Sequence, residues 1–186
     1  MFSLNPSLQS YSWGSKTLIA DLRGEESPTQ HPQAELWYGA HPAAPADIAG
    51  VPLTDIIAAD PDRELGAAVR ARFGDRLPFL LKILAVAEPL SLQAHPSLAQ
   101  AQEGFRRENA QGIDVRAGNR NYRDDNHKPE LIVALTPFHA MAGFRPLAAT
   151  LELFAALDCP SLARYVGMID STGEEAVNLR MLFTTW

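Results

Sequence analysis

A chain of 186 residues with 46% hydrophobic and 20% charged side chains has the profile of one globular domain, or one and a piece. Its formal net charge of −6 excludes a general nucleic-acid binder, which needs a basic surface, but leaves room for a local basic pocket around one small phosphate. A lone Cys159 excludes an intramolecular disulfide framework, the start lacks a basic-then-apolar leader, and the apolar run 77–90 is broken by Lys82, Pro78 and Pro89, so the expectation is a soluble cytoplasmic protein with no membrane partner.

In chain order, Gln9, Tyr11 and Trp13 alternate with Leu8, Ser10 and Ser12, predicting a strand that ends at Gly14. The stretch 34-AELWYGAHP-42 sets Glu35, Trp37, Gly39 and His41 on one strand face and Ala34, Leu36, Tyr38 and Ala40 on the other. Short helices follow near 53–59 and 62–73, separated by Asp60-Pro61. Near-continuous apolar content over 77–86 predicts a buried strand, with Lys82 on the face of Leu80 and Leu84. A lysine in such a run must pair or face a polar cavity. Residues 90–95 predict a further strand, with Ser91, Gln93 and His95 on one side. Ser97 and Gln100 then form a capping-box pattern ahead of Leu98, Ala101 and Phe105 at helical spacing. The polar stretch 109–126 reads as a long loop of the kind that carries function. Residues 128–138 read as a strand with Lys128, Glu130 and Ile132 on one face. After Arg145 the pattern turns helical, starting at Pro146, with further helices from about Ser161 and near 171–186, where Thr172 and Glu175 repeat the capping pattern. The chain stops at Trp186 inside an apolar pattern, which suggests an incomplete domain.

Two polar constellations carry chemistry. Gln93 and His95, two apart on a strand face, lie about 6–7 Å apart at Cα, close enough to reach one ion. An amide oxygen and an imidazole suit an open zinc site, with Glu130 able to add a carboxylate from another strand. The competing reading is a pair of satisfied polar residues at a strand end. In His127-Lys128-Pro129-Glu130, a lysine beside a divalent cation has its pKa lowered and can move protons near neutral pH. The competing reading there is an exposed Lys–Glu pair of little energetic weight. Arg120 and Arg123 could clamp a phosphate from the long loop, or simply be solvated.

These segments combine. Y-S-W-G at 11–14, A-E-L-W-Y-G-A-H-P at 34–42, L-P-F-L-L-K-I-L at 77–84, L-S-L-Q-A-H-P at 90–96 and N-H-K-P-E-L at 126–131 occur in this order, continued by A-L-T-P-F at 134–138 and G-F-R-P at 143–146. From about Leu4 to Pro146 they resemble the N-terminal half of the type I mannose-6-phosphate isomerases of the cupin superfamily. The resemblance implies an α+β fold, mainly β with helices: a portion of a cupin-type antiparallel barrel or jelly roll with helical insertions over 1–145, then the start of a helical domain over 146–186. It implies a zinc-dependent aldose–ketose isomerase acting on mannose 6-phosphate and fructose 6-phosphate, with one Zn2+ per chain. Gln93, His95 and Glu130 match the metal ligands. Lys128 matches a lysine near the transferred proton, with His127 beside it. Trp13, Lys82 and Ser91 match residues lining the sugar-phosphate site. The family's fourth ligand, a histidine, lies in a C-terminal half that this chain does not contain. The expectation is therefore a truncated product with little or no activity alone, and the rival reading is a non-catalytic cupin remnant that binds metal or sugar phosphate or needs a partner chain. A cupin oxygenase fits less well, because Gln93 stands where a second histidine would be wanted.

Overall fold

Alternation in β2 (Glu35–Tyr38) sets up two unlike sheet faces, and its neighbours decide what each face becomes. The computed structural model describes residues 3–169 and 173–185. It divides into two compact units, Met1–Lys128 and Pro129–Trp186.

In the first unit, β1 (Ser7–Gln9), β2 and β5 (Leu81–Leu84) form an antiparallel three-stranded sheet in the order β1-β2-β5. The register sets Leu36 opposite Ile83 and Trp37 opposite Lys82. Leu36, Tyr38, Ile83 and Ala85 therefore share the face that packs on Ile19 of α1 (Leu18–Arg23). Ile19 and Leu36 are both 1% exposed, and burying side chains of this size contributes about 2 kcal/mol each. Glu35, Trp37 and Lys82 are left on the opposite face. Gly14 lies against this core strand. A Cβ there would come within 2.7 Å of the Ala34 Cα, so the Y-S-W-G motif ends in the one residue that allows the approach.

A small hairpin pairs β3 (Asp47–Ile48) with β4 (Val51–Pro52). Its turn residues Ala49 and Gly50 both have positive φ, 52° and 83°, and Gly50 N–H donates to the Asp47 carboxylate. Then come α2 (Leu53–Ala59) and α3 (Pro61–Phe73), with Asp60 capping α3 through the Arg63 N–H. The last helix of this unit, α4 (Leu98–Ala110), carries the reciprocal Ser97–Gln100 capping box that its sequence predicts. In the second unit, α5 (Leu147–Leu157) contacts α7 (Glu175–Thr185), with a 3-10 turn at Pro160–Leu162 and α6 (Ala163–Val166) between them in sequence. The Glu175 carboxylate accepts the Leu147 N–H at 2.6 Å, capping α5, and Phe144 meets Phe183 edge-on. Thr172, the other half of the expected cap, lies outside the described residues.

The α+β class is as expected, but several expected strands are absent. The described residues hold a three-stranded and a two-stranded sheet and no closed barrel. The first strand stops at Gln9, and a turn follows through Ser12 and Trp13. Residues 90–95 and 128–138 run without a ladder. Alternation reports a face, whereas a strand exists only where another strand accepts its backbone groups, and the described residues supply none here. Leu131, Val133 and Leu135 accordingly stand 89%, 73% and 78% exposed. Lys128 and Glu130 share no strand face. No helix among the described residues is long and apolar enough to cross a membrane.

Candidate active site

On the polar face of the sheet, Glu35 is 6% exposed and is held by two neighbours. Trp37 Nε1–H donates to its Oε2 at 2.5 Å, and Lys82 Nζ stands 3.7 Å from the same oxygen. The Lys82 ammonium also lies 5.0 Å from the Trp37 ring centroid. The expected partner of Lys82 is thus a carboxylate and an aromatic face supplied by the paired strand. His41 meets Trp37 edge-on at 4.8 Å and accepts the Ala43 N–H on Nδ1, so its proton sits on Nε2. Desolvation of the ring lowers the His41 pKa, Asp124 opposes that shift, and Lys82 and Lys128 reinforce it. These influences gather Lys82, His41, Asp124 and Lys128 into one electrostatic neighbourhood within the first unit.

Trp13 stacks on Tyr11, with ring centroids 5.5 Å apart. Its carbonyl accepts the N–H groups of Ala87 and Glu88, which fixes it beside the exit of β5. Burial, with help from the Glu35 charge, raises the Tyr11 hydroxyl pKa, which ties this aromatic pair to the same face. Ser91, Gln93 and His95 lie exposed on the extended segment between β5 and α4. His127 is exposed as well.

His95 Nδ1 hydrogen-bonds to the Lys128 carbonyl oxygen. A carbonyl only accepts, so Nδ1 carries the proton and the lone pair of the neutral ring falls on Nε2. That is the form in which a histidine binds a metal, with its other nitrogen oriented by a backbone carbonyl. An imidazole nitrogen and, two residues away, the Gln93 amide oxygen are donors of the types that zinc takes. Among the described residues no group of three His, Cys, Asp or Glu side chains converges. Lys128 Nζ donates to Asp124 Oδ2 at 2.5 Å. Burial raises the Asp124 pKa, but hydrogen bonds from Lys128 and the Asn126 N–H outweigh it and hold the carboxyl below the usual range.

Sequence reasoning passed over Glu35, Trp37, His41 and Asp124. The shared parity of Glu35, Trp37 and His41, and the four-residue spacing from Asp124 to Lys128, were the available signals. Arg120, offered as a loop phosphate clamp, is instead buried in an ion pair with Glu108. A cavity of about 180 Å³ in the first unit is lined by Ala40, Ile57 and Arg76 among others, and takes in none of the candidate residues.

Comparison with known proteins agrees with the motif order. A family model for the phosphomannose isomerase type I catalytic domain matches residues 1–147. Mannose-6-phosphate isomerase of Escherichia coli is 46% identical over 178 residues, covering 92% of this chain and 45% of the relative. The Homo sapiens protein of that name is 38% identical over 160 residues, covering 79% of this chain and 35% of its own length. A lysine-to-alanine variant of phosphomannose isomerase from Salmonella typhimurium superposes with a TM-score of 0.83 at 42% identity, covering 100% of this chain and 46% of that one. The Salmonella typhimurium mannose 6-phosphate isomerase bound to fructose 6-phosphate and zinc gives 0.76 at 40% identity, covering 100% and 52%. The chain thus spans about half the length of the relatives it matches. On the model match and these identities, the chain belongs to the type I phosphomannose isomerase family.

Proposed function

We propose that the chain carries the metal-binding part of a zinc-dependent isomerase that interconverts mannose 6-phosphate and fructose 6-phosphate in the cytoplasm. The observation that carries this reading is the hydrogen bond from His95 Nδ1 to the Lys128 carbonyl, which links the Gln-x-His segment to the His-Lys-Pro-Glu segment and sets the histidine tautomer for ligation. The zinc and fructose 6-phosphate bound to the Salmonella relative support the choice of metal and substrate class. Gln93, His95 and Glu130 would hold the metal, which supplies Lewis-acid polarisation of the sugar carbonyl when bound. Lys128, with His127 beside it, would move the proton between the two neighbouring carbons. Asp124 orients its amine beforehand. Lys82 and Ser91 would face the phosphate, and Trp13 would form a wall of the sugar site. In the same reading the three-stranded sheet is a portion of a cupin-type barrel spanning 1–145, and 146–186 begins a helical domain.

The test is zinc content and affinity in the purified chain. Gln93→Ala, His95→Ala and Glu130→Ala are each expected to weaken zinc binding at least about tenfold, as loss of even an outer partner does. Zinc affinity unchanged in all three removes the ligand assignment. A coupled assay for fructose 6-phosphate then reads turnover. A second reading is a non-catalytic module that binds metal or sugar phosphate or completes its site with a partner chain. Zinc and fructose 6-phosphate binding without turnover would decide for it.

A further inference from the structure

Arg120 and Glu108 form a buried, densely bonded polar cluster in the first unit, at 5% and 4% exposure. Arg120 Nε lies 3.0 Å from Glu108 Oε2 and also donates to the Tyr122 carbonyl at 2.5 Å. One terminal nitrogen donates to the Ile113 carbonyl, and the other to the Asn109 side-chain oxygen, both at 2.7 Å. The guanidinium plane lies over the Phe105 ring. Glu108, near the end of α4, accepts the backbone N–H groups of Asn121 and Tyr122 and the Asn121 amide. The Tyr122 ring closes against Gly104, where a Cβ would stand 2.4 Å from it. Both ends of the loop after α4 are thereby bolted to the helix. Two residues past Tyr122, Asp124 takes the Lys128 ammonium.

We infer that Arg120 and Glu108 are positioning residues: by clamping Asn121 and Tyr122 to α4 they place the Asp124 carboxylate where it holds the Lys128 amine. The purpose of that amine rests on the isomerase reading above, whereas the clamp itself does not. The clamp needs both partners. A flexible ammonium in place of the guanidinium fork cannot reach Glu108, Tyr122, Ile113 and Asn109 together. An amide in place of the Glu108 carboxylate weakens the charge-assisted bonds to Asn121 and Tyr122.

The chain has three lysines, Lys16, Lys82 and Lys128, so acetylation by a limiting amine reagent can be followed at each by mass spectrometry of the full-length protein. Asp124→Asn sets the rate of the released Lys128 amine. Arg120→Lys and Glu108→Gln are each expected to raise Lys128 acetylation about threefold to fivefold, towards that rate, with Lys16 and Lys82 unchanged. A Lys128 rate held at the wild-type level in either variant overturns the inference, as does an Asp124→Asn rate no faster than wild type. An equal rise at all three lysines in both variants also overturns it, because the pair then merely holds the fold. Turnover is not the readout, so failure of the isomerase reading would leave the lysine rates to decide the clamp separately.

Discussion

At the scale of single residues, the candidate site is a set of cations each given a specific acidic or aromatic neighbour. Lys82 has Glu35 and the Trp37 face, while Lys128 has Asp124. The two arrangements differ in burial. Glu35 is almost enclosed at 8% side-chain exposure, whereas Asp124 is exposed at 47%. Removing the countercharge therefore matters more at Glu35, because a nearly buried carboxylate is then left with the Trp37 N–H against its desolvation cost. Lys82→Met is expected to lower stability by about 1–2 kcal/mol in a urea melt. The Glu35→Gln/Lys82→Met double variant should lose less than the sum of the two single variants, by about 1 kcal/mol. Strict additivity would show that the two groups do not couple. The sequence flagged Lys82 as a buried lysine in need of a partner. It could not name Glu35, which lies 47 positions away and meets Lys82 only through strand register.

At the scale of elements, what the chain codes locally was legible and what it codes through pairing was not. The helices at 53–59, 61–73 and 98–110 follow from a Pro or Asp start, a capping box and apolar spacing, all contained within a few residues. The strands expected over 90–95 and 128–138 failed because alternation fixes which side chains share a face and leaves the partner open. The α4 capping box is the local device with the most depending on it, since α4 carries Glu108 and the loop anchored there. Ser97→Ala removes one of its two bonds and is expected to cost about 1 kcal/mol, read as a lower denaturant midpoint at unchanged m-value. A changed m-value would mean that the substitution alters how much of the chain unfolds together.

At the scale of the whole molecule, acid weakens the buried carboxylate network. The N–H of Tyr122, the Asn121 donors and Arg120 together hold the Glu108 carboxyl below its usual range, against the opposing effect of burial. A carboxylate lowered in the folded state stabilises fully above its unfolded pKa of about 4.3. That contribution is lost as pH falls through the lower folded value. The Tm advantage of wild type over Glu108→Gln should therefore be constant from about pH 7 to pH 5 and shrink below about pH 4. An advantage that stayed constant into strong acid would show that the charge of Glu108 contributes nothing. Asp124, lowered in the same direction, adds a second contribution of the same sign.

By itself the sequence determined the family, because seven short motifs kept their order. It also determined the helices at 53–59, 61–73 and 98–110, whose signals are local, though it missed α1, and it offered Gln93, His95 and Glu130 as candidate metal ligands. Only the tertiary structure decided which groups meet. The β2–β5 register set Lys82 against Glu35 and Trp37, and the fold of the loop after α4 buried Arg120 against Glu108. The physical reason is range: capping and periodicity act over three or four residues along the chain, whereas the Arg120–Glu108 and Lys82–Glu35 contacts close across 12 and 47 residues.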